Sequence, residues 1–223
     1  MPSIEEIPQV VEARTFHQLG ILLLDGSGSM AAPGGGNISL SDHVNRAVRE
    51  FLGFFKNSSQ VKNFSIAVVT FDNNARVHTP ITPLEAIDDF ADYDPMNGHG
   101  GGTFIGGALA EAEKLAEQFL SSASGVPHDV RILVMSDGAC QQPEATREVA
   151  DRLKQNAQVM ICSSLFTPVA RAGDQETAEA KTVLQDVASA AKLYKTTYKE
   201  ADLRQFFISS MSAKRRGANE NAG

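Results

Sequence analysis

The chain has 223 residues, 42% of them hydrophobic and 21% charged, with a formal net charge of −7. That length and balance describe one globular domain able to bury a core, and they exclude a disordered or fibrous chain. The acidic excess argues against nonspecific binding to nucleic acid or to an anionic membrane surface, since both need a basic face.

The segment Met1 to Arg14 carries Glu5, Glu6 and Glu12 and has neither a basic start nor an apolar stretch, so it does not read as a secretory signal. Two cysteines, Cys140 and Cys162, are too few for a disulfide framework and point to a reducing, cytoplasmic compartment. No apolar run approaches the roughly 20 residues that span a bilayer. The basic run Lys214-Arg215-Arg216 sits in a polar tail and reads as a solvated terminus rather than a binding patch. The expected division is an extension over residues 1–15, one domain over 16–212 and a polar tail over 213–223.

The first predicted element is a strand over Gln18–Leu24, whose apolar run Ile21 to Leu24 leads straight into Asp25. Ser27 and Ser29 follow, separated by Gly26 and Gly28, and Met30 is expected to pack beneath this loop. After Ala31-Ala32-Pro33-Gly34-Gly35-Gly36, a helix is predicted behind Ser41 as cap, with Val44, Ala47, Val48, Phe51, Leu52 and Phe55 on its apolar face. A strand over Phe64–Phe71 comes next. Only Asp72-Asn73-Asn74 separates it from a weaker strand over Ala75–Thr79, too short a gap for a helix, so the two should pair antiparallel at a sheet edge.

The glycine run Gly98–Gly102 precedes Thr103 and a long amphipathic helix carrying Ile105, Ala108, Leu109, Ala112, Leu115, Ala116 and Phe119. Strands are predicted over Val130–Ser136, Val159–Phe166 and, more weakly, Leu193–Thr197. Helices are predicted over Glu144–Asn156, Glu176–Ala190 and Glu200–Met211, the last docking through Leu203, Phe206, Phe207 and Met211. The strong strands are continuous apolar runs, which marks strands covered on both faces. The expected fold class is therefore α/β: a doubly wound, mostly parallel central sheet with one antiparallel edge strand and helices on both faces.

In such sheets ligands bind at the carboxyl ends of the strands. Three segments arrive there with oxygen donors: Asp25-x-Ser27-x-Ser29, Gly100-Gly101-Gly102-Thr103, and Met135-Ser136-Asp137-Gly138. Two carboxylates and three hydroxyls suit a hard cation such as Mg²⁺ or Mn²⁺, with water or an outside ligand completing six positions. A phosphate-cradling reading of the glycine run fails, because no Gly-Lys-Ser/Thr and no Gly-x-Gly-x-x-Gly is present. His99 reads as a solvent-facing loop histidine rather than a rim residue. Asp72 reads as the start of a turn rather than a bond acceptor near the site. Cys140 reads as a structural or incidental thiol, since sulfur is a poor ligand for hard cations, and Cys162 as core packing.

These three segments, in this order, resemble the von Willebrand factor A (vWA) domain and its metal-ion-dependent adhesion site, over about residues 16–212. The resemblance implies that Ser27, Ser29 and Thr103 ligate the metal directly or through water, and that Asp25 and Asp137 act through water or directly. It also implies a partner protein that supplies a Glu or Asp carboxylate. Ala31–Leu40 stands as an insertion beside the motif and is expected to form a flexible lip. Thr70-Phe71-Asp72, the hairpin and Thr82-Pro83-Leu84-Glu85 further resemble bacterial vWA proteins of tellurite-resistance and stress gene clusters, which makes a kinase, a phosphatase or an ATPase the candidate partner.

Two other functions compete with a non-enzymatic binding module. A haloacid-dehalogenase-type phosphatase also places an Asp after an apolar strand, but it requires a second Asp two residues on, where this chain has Ser27. No Gly-x-Ser-x-Gly is present, and neither Ser27 nor Ser29 has an evident base, so the expectation is no enzyme. The other reading is a subunit of a chelatase-like ATP-driven machine, which co-purification with an ATPase would reveal.

Overall fold

The computed structural model describes residues 15–122 and 125–213. The expected extension except Thr15, and the expected tail except Ala213, lie outside the described residues, as does Lys214-Arg215-Arg216. Eight strands and five helices are described: β1 (His17–Asp25), β2 (Pro33–Gly35), β3 (Ile38–Ser39), α1 (Leu40–Lys56), β4 (Phe64–Phe71), β5 (Ala75–Pro83), α2 (Ile105–Ser121), β6 (His128–Ser136), α3 (Pro143–Lys154), β7 (Val159–Phe166), α4 (Gln175–Val187), β8 (Tyr194–Thr197) and α5 (Glu200–Met211).

Six strands form the main sheet in the order β5-β4-β1-β6-β7-β8. All neighbours run parallel except β4 and β5, which pair antiparallel at one edge with register shifts between Ile66 and Val69. The edge strand outruns its predicted end at Thr79 and continues to Pro83. Proline there is tolerated because an edge strand has one side without ladder bonds.

Strand alternation sorts the core into two layers. Leu19, Ile21 and Leu23 of β1 share a layer with Ile105, Leu109 and Phe119 of α2, Ala150 of α3 and Leu184 of α4. Leu22 and Leu24 share the opposite layer with Val48 and Phe51 of α1 and with Leu203 and Phe207 of α5. Every residue of the docking stripe predicted for α5 is buried. Because β1 lies between β4 and β6, both its faces and both its edges are covered. That explains the unbroken apolar run, which would be costly at a half-exposed strand.

Two local expectations change. The cap of α1 is Ser39, not Ser41: the Asp42 N–H donates to Ser39 Oγ at 3.0 Å and the Ser39 N–H donates to Asp42 Oδ2 at 3.0 Å. This reciprocal pair satisfies two orphan donors at once and outcompetes a cap two residues later, leaving Ser41 buried in the first turn. Ala31–Leu40, expected as a flexible lip, carries secondary structure of its own. It folds into the small antiparallel ribbon β2–β3, turned by Gly35, Gly36 and Asn37 at positive φ. The Leu40 N–H donates to the Ala32 carbonyl at 3.0 Å, which ties the ribbon to the start of α1.

Candidate metal centre

The chain enters the sheet at its middle, passes by α1 to β4 on one side, and later crosses by α2 to β6 on the other. The reversal of direction opens a crevice at the carboxyl end of β1. Asp25 ends β1, and Asp137 follows the last residue of β6. Thr103 stands two residues before α2.

The structure brings all five predicted residues together. Asp25 is fully buried; its Oδ1 accepts from the Ser27 N–H at 2.8 Å and its Oδ2 from the Ser136 hydroxyl. Ser27 Oγ and Ser29 Oγ lie 3.0 Å apart, and the Ser29 hydroxyl donates to Asp137 Oδ1 at 2.7 Å. Gly138 shows where the third segment meets them. A methyl group in place of its hydrogen would lie 3.5 Å from Ser29 Oγ, 3.7 Å from Thr103 Oγ1 and 3.9 Å from Glu176 Oε1. Three oxygens from three distant segments thus face one small space.

Glycine is required at Gly26, where a Cβ would stand 2.1 Å from the Pro95 carbonyl oxygen. Only a residue without a side chain lets the loop pass that close to the backbone of the 95–102 segment. The two loops are then bonded to each other, the Gly28 N–H donating to the Gly101 carbonyl at 2.9 Å.

Asp72 has more to do than begin a turn. Its Oδ1 accepts from the Asn74 N–H at 3.0 Å, the turn bond that was expected, but its Oδ2 accepts from the Gly101 N–H at 3.1 Å. Asn73 Oδ1 accepts from the Gly102 N–H at 3.0 Å, and the Asp72 carbonyl from the Phe104 N–H at 2.9 Å. The turn after β4 therefore fixes the glycine run that delivers Thr103. Burial alone would raise the Asp72 carboxyl, but the Asn74 N–H, His99 and the Gly101 N–H outweigh it and hold the group down at about 2. His99 is likewise not solvent-facing. Its side chain is buried, with Nε2 3.0 Å from Thr70 Oγ1 and Nδ1 3.0 Å from Asp72 Oδ1, because the anchored glycine run folds it back onto the end of β4.

Cys140 is buried with its sulfur 3.2 Å from Thr146 Oγ1, a structural placement, and Cys162 is buried in β7, as expected for core packing. Among the described residues, no group of three or more His, Cys, Asp and Glu side chains is arranged to hold a metal ion.

Sequence reasoning missed Ser136, Arg171 and Glu176. Ser136 was legible as the residue before Asp137 but not as the partner of Asp25. Arg171 lies in a short 3-10 turn (Val169–Arg171) after β7, and no motif marks it. Its Nη1 donates to Asp137 Oδ2 at 3.4 Å and its Nη2 to Glu176 Oε2 at 3.4 Å.

Burial, together with the charge of Asp137, pushes the Asp25 carboxyl up from 3.8 to about 7. Burial also raises Asp137, against the Ser29 hydrogen bond and the Arg171 charge. A carboxyl whose folded pKa exceeds its unfolded value keeps its proton longer in the folded state, so its contribution to stability is full below about 4 and is lost as pH rises through about 7. In chelator-treated protein, the melting temperature of the wild type relative to Asp25→Asn is expected to fall between pH 5 and pH 8. Thermal melts of both proteins at the two pH values check this, and a pH-independent difference would refute it.

A model of the von Willebrand factor type A domain matches residues 21–213. No curated protein sequence matches the chain. Among solved structures, the pilus adhesin SpaC from Lactobacillus rhamnosus GG superposes with a TM-score of 0.67 at 10% identity, covering 89% of this chain and 31% of that one. The vWF domain of the type V pili tip protein Mfa5 from Porphyromonas gingivalis superposes with a TM-score of 0.63 at 14% identity, over 90% of this chain and 95% of that domain. Proximal thread matrix protein 1 from the mussel byssus, with a zinc-occupied MIDAS motif, gives 0.59 at 15% identity, over 89% and 46% of the two chains. At these identities the likeness is one of fold, and the chain spans about a third to a half of the length of SpaC and the mussel protein. No helix among the described residues is long and apolar enough to cross a membrane.

Proposed function

From the premise that this chain belongs to the von Willebrand factor type A domain family, as the match over residues 21–213 shows, we propose that it is a metal-dependent protein-binding module rather than an enzyme. Asp25, Ser27, Ser29, Thr103 and Asp137 are the residues that would hold the cation. The donor set fits the group: every donor is a hard oxygen, two carboxylates balance a 2+ charge, and the thiol of Cys140 is turned to Thr146 instead. Mg²⁺ is the proposed ion, with Mn²⁺ as its close substitute. The observation that carries this reading is the convergence of the Ser29 and Thr103 hydroxyl oxygens on the space facing Gly138, beside two buried carboxylates.

When bound, the cation supplies an electrophilic centre that takes a Glu or Asp carboxylate from the partner. The chain's own residues orient and balance that centre. Ser136 and the Ser27 N–H fix the Asp25 carboxylate, Ser29 fixes that of Asp137, and Asp72 with Asn73 holds the loop that carries Thr103. The finer assignment is to a bacterial cytoplasmic stress-response complex whose partner is a kinase, a phosphatase or an ATPase. It rests on the Thr70-Phe71-Asp72 and Thr82–Glu85 resemblance and on two buried free cysteines.

Thr103→Ala is expected to weaken Mg²⁺ binding at least about tenfold with little change in the metal-free melting temperature, because the side chain ends on a loop rather than in a core layer. Calorimetric titration and thermal melts of the variant measure both. Capture of a partner from a bacterial lysate should require Mg²⁺ and be lost in EDTA. Equal capture in both buffers would refute metal-dependent recognition.

A further inference from the structure

The site contains one cation of its own. Arg171 reaches the fully buried Asp137 from the rim, its Nη1 3.4 Å from Asp137 Oδ2, while Ser29 takes the other oxygen of that carboxylate. The same guanidinium has a second set of partners within reach. Nη2 is 3.4 Å from Glu176 Oε2, and Nε is 3.9 Å from Asp174 Oδ2. These outer carboxylates are more than half exposed, whereas the Arg171 side chain is 25% exposed and the Asp137 side chain is not exposed at all. Arg171 is thus suspended between a buried carboxylate that belongs to the metal-holding set and two rim carboxylates that do not.

We propose that Arg171 is the resident counter-cation of this centre, pairing with Asp137 when the site holds no metal and passing to Glu176 and Asp174 when a divalent cation takes its place. The inference rests on the metal-binding reading above. Two carboxylates in a dry crevice repel each other, and a guanidinium on one of them offsets part of that repulsion. An arriving 2+ ion meets the same guanidinium as a like charge a few ångströms away, in surroundings that screen poorly. Arg171 therefore holds metal affinity down and keeps the ion exchangeable. Glu176 and Asp174 lower the cost of loading by receiving the guanidinium, whose planar fork bonds carboxylates at either position. In this role Arg171 is a positioning residue and does not coordinate the metal.

The test is calorimetric titration of chelator-treated protein with Mg²⁺ and Mn²⁺. Arg171→Gln is expected to bind each ion about tenfold more tightly than wild type, and Arg171→Lys, which keeps the charge, to return towards wild-type affinity. The double variant Asp174→Asn, Glu176→Gln removes the outer partners and is expected to bind metal several-fold more weakly. The same pair of changes should have a smaller effect in the Arg171→Gln background, because part of it acts through the arginine. A merely structural arginine predicts otherwise: its loss would lower affinity and metal-free melting temperature together, and lysine would not restore the charge effect. Unchanged or weaker binding by folded Arg171→Gln would overturn the proposal while leaving the metal reading intact. If Arg171→Gln did not fold, wild-type affinity in the outer double variant would overturn it. Absence of metal binding in wild type and Arg171→Gln alike would overturn both readings.

Discussion

Asp25→Asn is expected to remove saturable Mg²⁺ binding, lowering affinity by at least about 100-fold, and to leave a protein that is folded and no less stable without metal at pH 8. The first half follows from the position of Asp25: it is one of the two buried carboxylates proposed to balance the cation, and even changes to outer-shell partners of metal ligands cost about 10- to 100-fold. The second half follows from the cost of keeping that carboxylate charged. Burial and the charge of Asp137 push it up to about 7, so at pH 8 the metal-free protein carries two like charges in a dry site. Asparagine keeps the shape and removes one charge. Its carbonyl oxygen can still accept from the Ser27 N–H, and Ser136, whose hydroxyl also lies 3.3 Å from the Gly138 carbonyl, can turn to accept from the new amide. Titration calorimetry and melts in EDTA measure the two halves separately. Binding at wild-type affinity, or a metal-free variant clearly less stable than wild type, would count against the charge-balance account.

Leu22→Ala is expected to cost about 3–4 kcal/mol of folding stability, a large share of the roughly 5–15 kcal/mol that holds such a domain together. Leu22 is fully buried in the central strand, aligned with Val68 on β4 and Leu133 on β6, and sits in the core layer that α1 and α5 close. Strands on both sides and helices above leave the cavity little room to collapse, which keeps the cost away from the lower end of the usual range of about 2–5 kcal/mol for this change. Denaturant unfolding of the metal-free variant measures it, and a loss under about 1 kcal/mol would show that the site relaxes more than its packing implies. Because Asp25 lies three residues further along the same strand, Mg²⁺ should recover part of the loss, as any ligand of the folded state alone does.

Much of the fold was legible because its signals are local. The continuous apolar runs of β1, β4, β6 and β7 announce strands covered on both faces, and three-residue Asp72-Asn73-Asn74 leaves no choice but an antiparallel partner. The cap of α1 was misplaced because Ser39 and Ser41 both qualify by type, and only the reciprocal bonding with Asp42 separates them. The ribbon within Ala31–Leu40 was missed because glycine-rich sequence carries no periodicity, so its conformation is set by attachment to α1 rather than by its own side chains.

The sequence by itself determined which five oxygen-bearing side chains meet at this crevice, since Asp25, Ser27 and Ser29 sit within one loop and Thr103 and Asp137 each follow a readable strand or glycine cue. Only the tertiary structure decided what surrounds them. Asp72 became a brace for the glycine run, His99 became a buried prop beneath it, and Arg171, 34 residues beyond Asp137, became its ion-pair partner. The physical reason is the range of the forces involved. Strand and turn preferences act between neighbours in the chain, whereas hydrogen bonds and charge pairing act between neighbours in space, and those are chosen by how β1, β4, β6 and β7 line up their ends.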